Sequence, residues 1–327
     1  MKTMNFKSSL PHGVVVLSLL AGFHTTYAAD VSALKASQPK TIRLLTVGNS
    51  FSGNATKHLA DLARAGGCEL IHRTASVGGA SLELHVTKVQ AHERDPAVKA
   101  GLYAAGLSLT KLLRAERWDF VTIQQASIKS HDLATYRPFA EQLRDTIRTH
   151  APQAKLLVHQ TWAYRRDDPR FTKTSGKAGE PVTHEAMYRG LTTAYRTIAE
   201  ELGARVIPVG DAFFLADTDS QWGYQPDPRF DFKAAQPPAL PDQTHSLHIG
   251  WRWRKQKDGA MKLVMDGHHA NTAGEYLGAC VWYEVLFGAS AVGNSFAPPG
   301  LDPAFARFLQ ETAHHAVVES AKPPPPR

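Results

Sequence analysis

Cysteine is nearly absent. The two present in 327 residues, Cys68 and Cys280, cannot form a disulfide framework, so the fold has to rest on a hydrophobic core. Whether they pair is open: an oxidising compartment would allow a bridge, and a buried free thiol fits Cys280 on the apolar face of a predicted helix equally well. Long apolar runs are missing too. The apolar run Gly13–Gly22, broken only by Ser18, is too short to cross a bilayer. Lys2 and Lys7 precede it, and Thr26-Tyr27-Ala28 puts small residues at the −3 and −1 positions of a cleavage site, the layout of a secretion signal. Cutting after Ala28 removes two lysines and no acid, so the formal charge falls from +7 to +5. That excess is mild and scattered, which argues against nucleic acid as a partner. No internal repeat is visible. The expected organisation is a signal peptide over 1–28, a linker over 29–40, one domain over 41–320 and a Pro-rich tail over 321–327, with the mature protein secreted or periplasmic and without stable membrane insertion.

What is present is an alternation. Five apolar, β-branched runs, Thr41–Val47, Glu69–Ala75, Phe120–Gln125, Lys155–Thr161 and Arg205–Val209, alternate with helical patterns at about 53–66, 107–116, 134–150 and 183–202. Buried strands separated by helices predict a three-layer α/β/α sandwich around a mostly parallel five-stranded sheet, flavodoxin-like in kind. In such a sheet ligands bind at the carboxyl ends of the strands, near the topological switch point. Ser50, Gly78-Gly79 and Gln124-Gln125 all fall at strand ends. The stretch of about 217–263 breaks the alternation with a Pro-rich aromatic loop. A predicted β-hairpin follows, in which Leu247, Ile249, Trp251 and Trp253 share one face and Asp258-Gly259 makes the turn. Further helices are expected from Asn271 or Thr272 to Phe287 and over about 303–319.

The chemistry sits in two short motifs. Gly48-Asn49-Ser50-Phe51-Ser52 follows the first strand, and Asp266-Gly267-His268-His269 precedes the penultimate helix. A serine becomes a nucleophile when a histidine takes its proton and a carboxylate fixes that histidine's tautomer. Asp266 and His269, three apart, can meet across a tight turn, leaving the other imidazole nitrogen for Ser50; His268 is the rival base. Each motif alone has a bland reading, a helix-capping serine or a surface histidine. A metal site built from Asp266, His268 and His269 is disfavoured because adjacent histidines rarely ligate one ion, so no metal or organic cofactor is expected.

The order Ser…Asp-x-x-His resembles that of the SGNH (GDSL-type) hydrolases, with Ile42–Ser52 similar to their first block and Asp266–Gly274 to their last. The resemblance implies a carboxylic-ester hydrolase with Ser50 as nucleophile, His269 as general base and Asp266 as its orienter. It also implies an oxyanion hole from the backbone N–H groups of Ser50 and of a glycine in the second block, Gly79 before Gly78. A third donor in that family is an asparagine side chain, yet here the block reads Gln124-Gln125. One of the two glutamines is expected to substitute, Gln125 before Gln124. Asn49, where the family commonly has aspartate, reads as a turn former. The Ser76–Ser81 glycines have a bland reading as a tight turn needing positive φ.

Aromatic faces beside arginines suit sugar rings, so Trp222 and Tyr224 are candidate substrate contacts, with His159 lining the pocket. The substrate expected is a small-molecule or polysaccharide ester, with acetyl on carbohydrate foremost. Two alternatives stay open: a catalytically weak carbohydrate-binding protein on the same scaffold, and a lipase or thioesterase.

Overall fold

The computed structural model describes Met1 and residues 40–173 and 180–322. The chain divides into two units, Met1–Gln38 and Pro39–Arg327, and everything below concerns the second. Apart from Met1, the expected signal peptide and linker up to residue 39 lie outside the described residues, as do residues 323–327 of the tail. Among the described residues no helix is long and apolar enough to cross a membrane.

Five parallel strands form the central sheet: β1 Thr41–Gly48, β2 Glu69–Ser76, β3 Phe120–Ile123, β4 Lys155–His159 and β5 Arg205–Ile207, in the order β2-β1-β3-β4-β5. All five start where the sequence predicts. Three stop short, because the apolar pattern continues into loops that are themselves buried: Gln124, Gln125, Gln160 and Thr161 are at most 1% exposed. The strand order reverses direction between β1 and β3, so the crevice of the switch point opens beyond the carboxyl end of β1.

Helices cover both faces. One layer contains α1 Ser50–Ala55, α2 Leu59–Ala65, α7 Val209–Thr218, α8 Thr272–Phe287 and α9 Pro303–Ser320. The other contains α3 Leu82–Arg94, α4 Leu109–Arg114, α5 Phe139–His150 and α6 His184–Leu202. The sequence reading assigns no helix at α3 or α7. In α3 Leu82, Val86 and Val89 make a narrow buried stripe interrupted by His85, and α7 is apolar on most sides and shows no period. The expected helix over about 53–66 is two short ones, the first starting at Ser50 because the Asn49 side chain caps it through Phe51 N.

The core runs through β1 and α8. Leu44, Leu45 and Val47 are at most 1% exposed, and every α8 residue from Ala273 to Phe287 is buried. A helix buried all round must pair its charges. Glu275 accepts from Lys57 Nζ at 2.7 Å, and Glu284 accepts from Ala291 N at 2.7 Å and contacts His314 Nδ1 at 3.0 Å. Both cysteines are free, Cys280 buried in α8 and Cys68 partly covered.

Asp217, near the end of α7, is the exception to this pairing. It is buried, and among the described residues neither carboxyl oxygen has a hydrogen-bond partner. Burial pushes its carboxyl up to about 6, against the pull of His184, Arg166 and Arg165. The folded protein therefore binds this proton more tightly than the unfolded chain. Stability falls as pH rises from the ordinary carboxylate range to about 6, and the loss is complete above that. Asp217→Asn should raise stability by about 2–3 kcal/mol at pH 8 and by almost nothing at pH 4, as read by denaturant unfolding at the two pH values.

The inserted segment carries the expected hairpin as a separate two-stranded ribbon, β6 His248–Lys255 and β7 Met261–Ala270, antiparallel. Its Trp251 packs on Phe232 and donates to Asp167, while the Trp253 indole donates to Ala239 O, so the apolar face closes over the Pro-rich loop.

Candidate active site

Ser50 is the first residue of α1 and follows β1 at the switch point. Its Oγ lies 2.9 Å from His269 Nε2. His269 Nδ1 lies 3.1 and 3.2 Å from the two oxygens of Asp266, and His269 N also donates to Asp266 Oδ1 at 3.2 Å. The three residues that the sequence nominates are thus brought into one hydrogen-bonded line from residues 219 positions apart.

The local structure behind the line differs from the expected turn. Asp266–His269 belongs to β7, and α8 begins only at Thr272. The reach from Asp266 to His269 comes from a bulge: Gly250 pairs with Asp266 and His248 with Ala270, so two steps on β6 face four on β7. Gly250 takes φ 73° at this break, and a Cβ there would sit 2.1 Å from Gln243 Oε1 and 2.2 Å from Arg165 Nη1.

The segment after β4 cradles the bulge. Arg165 N donates to Gly267 O at 2.7 Å and the Trp162 indole to His268 O at 2.9 Å. Trp162 is fully buried, stacked on Phe213 and tilted against Phe51, whose ring faces His269 at 6.1 Å. Arg165, 1% exposed, is satisfied by a bidentate bond to Asp167 and by Gln243 and Ser246. Sequence reasoning missed this cradle. The only local signal is the charge-dense Arg165-Arg166-Asp167-Asp168 run, separated from the end of β4 by five residues.

Gly267 leaves no spare room: a Cβ would lie 2.5 Å from Asp168 Oδ2 and 3.0 Å from Met265 Cε. Gly267→Ala should shift the bulge and lower kcat by about 10–100-fold at nearly constant KM, measured with an aryl acetate. A larger fall in thermal stability than in kcat would count against this account.

Electrostatics favour an ionised carboxylate. Burial raises the Asp266 carboxyl, but the hydrogen bonds from the His269 ring and backbone, with the charges of His268 and His269, outweigh it and hold it well below the usual carboxylate range. His268 does not reach Ser50. Its Nδ1 is 3.1 Å from Asp266 Oδ1 and 2.7 Å from Arg170 Nη2, and burial, helped by Arg170, brings it down to about 4 despite Asp266. Asp266, His268 and His269 do place ligand-type atoms within 4.8 Å of one another. Guanidinium groups of Arg170 against His268 and of Arg252 at 3.7 Å from Asp266 make the surroundings cationic, which opposes a dication there.

The remaining nominated residues divide. The Val77–Ala80 turn adjoins the nucleophile: Gly48 pairs with Ser76, Val77 N donates to Gly48 O, and Asn49 Nδ2 donates to Ala80 O at 2.9 Å. Within it Gly78 and Gly79 are exposed, and Gly79 takes φ 67°. Both glutamines require correction as oxyanion donors. Gln124 Nε2 donates to Asn49 Oδ1 at 2.7 Å while its Oε1 meets His159 Nδ1 at 2.8 Å. Gln125 Nε2 donates to Thr135, and its Oε1 accepts from Leu82 N and Ala126 N. Neither lies in a strand, and each buttresses buried loops. His159 is likewise buried beneath Trp162 and Trp282 and lines no open surface. Trp222 stacks on Phe305 and Phe308 of α9, and Tyr224 is buried under the Arg165 guanidinium, so both serve as packing for the insertion.

Fold and site together define an α/β/α protein with a hydrogen-bonded serine, histidine and aspartate array at the carboxyl edge of its parallel sheet. The family model described as "Domain of unknown function (DUF4886)" matches residues 43–220, and the chain belongs to that family. A crystal structure of a DUF4886 family protein from Bacteroides uniformis is 26% identical over 86% of this chain and 97% of its own, with a TM-score of 0.65. A protein from Slackia heliotrinireducens provisionally assigned as an SGNH hydrolase is 21% identical, covering 75% of this chain and 98% of its own, with a TM-score of 0.45. No curated protein matches the chain.

Proposed function

We propose that the protein is an exported serine ester hydrolase that removes short acyl groups, acetyl foremost, from a carbohydrate. One observation carries the reading: Ser50 Oγ, His269 Nε2 and the ionised Asp266 stand in hydrogen-bonded order at the switch point of the sheet. Ser50 attacks the acyl carbonyl as His269 Nε2 takes its proton, and Asp266 keeps Nδ1 protonated and stabilises the imidazolium. His269 then gives the proton to the leaving alcohol, and water, deprotonated by the same nitrogen, releases the acid from the acyl-enzyme. The N–H groups of Ser50 and Gly79 are the oxyanion donors in this scheme, supported by the contact of the Val77–Ala80 turn with Gly48 and Asn49. With both glutamine amides engaged elsewhere, the third donor of the wider superfamily has no counterpart in this scheme.

The test is hydrolysis of aryl esters of increasing acyl length, beside labelling by a fluorophosphonate probe. The expected result is fastest turnover of the acetate, a decline with chain length, and a label on Ser50. A rate that rises with acyl length would replace deacetylation by a lipase or thioesterase. No turnover and no label would leave a binding protein on a hydrolase scaffold.

A further inference from the structure

The ribbon that delivers Asp266 has two unlike faces, and the register fixes which residues share each. Gly250 pairs with Asp266, Arg252 with Val264 and Arg254 with Lys262, so Arg252, Arg254 and Lys262 stand on the same face as the carboxylate. The other face holds Trp251, Trp253, Leu263 and Met265, and it packs on the Pro-rich loop. The cationic face is open: Arg252, Arg254 and Lys262 are exposed, and Arg252 reaches within 3.7 Å of Asp266. Among the described residues Arg254 and Lys262 have no ion-pair partner. Lys255, on the opposite face, and Lys257, in the turn, add charge near the ribbon's tip, where Asp258 is the sole acid of the two strands and their turn apart from Asp266. A basic excess that looks scattered in the sequence is thus gathered on one ribbon, beginning at the site itself.

We infer that this face is a guide for a polyanion, and that the ester cleaved at Ser50 is borne by an acidic polysaccharide. The inference rests on the ester-hydrolase reading for the chemistry and on the ribbon alone for the substrate class. The length of the row decides against a single small anion. From the level of Asp266 to Arg254 is four residues of strand, about 13 Å, so one carboxylate near the ester could meet Arg252 and leave Arg254 and Lys262 unused. A chain with an acid group on successive sugars would meet all three. Cations lining the approach to a site also raise the local concentration of an anionic substrate, an effect that salt screens.

The experiment compares three substrates, acetylated oligogalacturonate, acetylated xylo-oligosaccharide and an aryl acetate, on the full chain and on Arg254→Glu/Lys262→Glu. For the acidic oligomer the double variant should lose about tenfold or more in kcat/KM, mainly through KM. It should match the parent on the two neutral esters. Raising salt from about 20 to about 200 mM should cut the parent's kcat/KM on the acidic oligomer severalfold and leave the variant's nearly flat. Equal losses on all three substrates, or none on the acidic one, would overturn the inference. A binding arm separates it from the catalytic reading: calorimetry of Ser50→Ala with plain oligogalacturonate, with and without the two charge reversals. Binding abolished by the reversals supports the guide even if no ester is turned over. No binding beside a normal aryl acetate rate overturns the guide and leaves the esterase. Binding to phosphatidylglycerol vesicles through the same residues, and not to oligogalacturonate, would also overturn it in favour of a membrane surface.

Discussion

Ser50→Ala should lower kcat/KM on an aryl acetate by at least about 10⁴-fold, and His269→Ala by a comparable factor, while both variants keep the parent's unfolding midpoint within a few degrees. The size follows from the chemistry. An alanine at 50 removes the hydroxyl placed 2.9 Å from His269 Nε2 to attack a carbonyl, and what survives is the contribution of binding and of N–H donors. Because the two residues act as one unit, the double variant should be little worse than either single one. Additive losses would mean that serine and histidine serve separate steps. Stability is expected to hold because Ser50 is the first residue of α1 while the cap, Asn49, is untouched. A residual rate above about one hundredth of the parent's would remove Ser50 from the nucleophile's role.

Asp266→Asn should cost about 10³–10⁴-fold in kcat with a small change in KM. The carboxylate accepts from both the ring and the backbone N–H of His269, and an amide can accept at only one of its two atoms. With its N–H₂ turned toward Nδ1 it would favour the tautomer whose proton sits on Nε2, the nitrogen that has to receive the serine proton. The substitution also takes a charge from between His268 and Arg252, leaving two cationic or polar neighbours without their common partner. Since Asp266 is held well below the ordinary carboxylate range, it stays ionised across the whole working range and contributes no acid limb between pH 5 and 9. A parent profile that fell with protonation of Asp266 in that window, or a variant within tenfold of the parent in kcat, would contradict the assigned role.

Much of this was readable from the chain, and the failures share a cause. The five strand starts and the nominated trio are local statements: a β-branched run begins, a serine follows a strand, a carboxylate lies three residues from a histidine. Strand ends were overrun at Gln124, Gln160 and Pro208 because hydrophobic pattern measures burial, and here the residues beyond the sheet are as buried as the strands. The same burial explains the error over the glutamines. A similarity of amide chemistry gave them a role, but the side chains are fixed by partners at Asn49, His159 and Thr135, contacts that no local pattern encodes. Trp222 and Tyr224 show the reverse case, aromatic residues in a Pro-rich loop that look available, yet Trp222 packs on α9 and Tyr224 is buried beneath Arg165.

The distance along the chain between Ser50 and its base has a consequence for how activity is acquired. A polypeptide made from its amino end exposes the serine early, with the sheet's first strand, while the histidine arrives 219 residues later. That histidine is held in place only once the ribbon has been clasped by the segment around Trp162 and Arg165. Until then the hydroxyl is no more reactive than any other serine. If Ser50 is the nucleophile proposed above, the chain is inert through synthesis and through any passage it makes unfolded, and completion of the fold is itself the activating event.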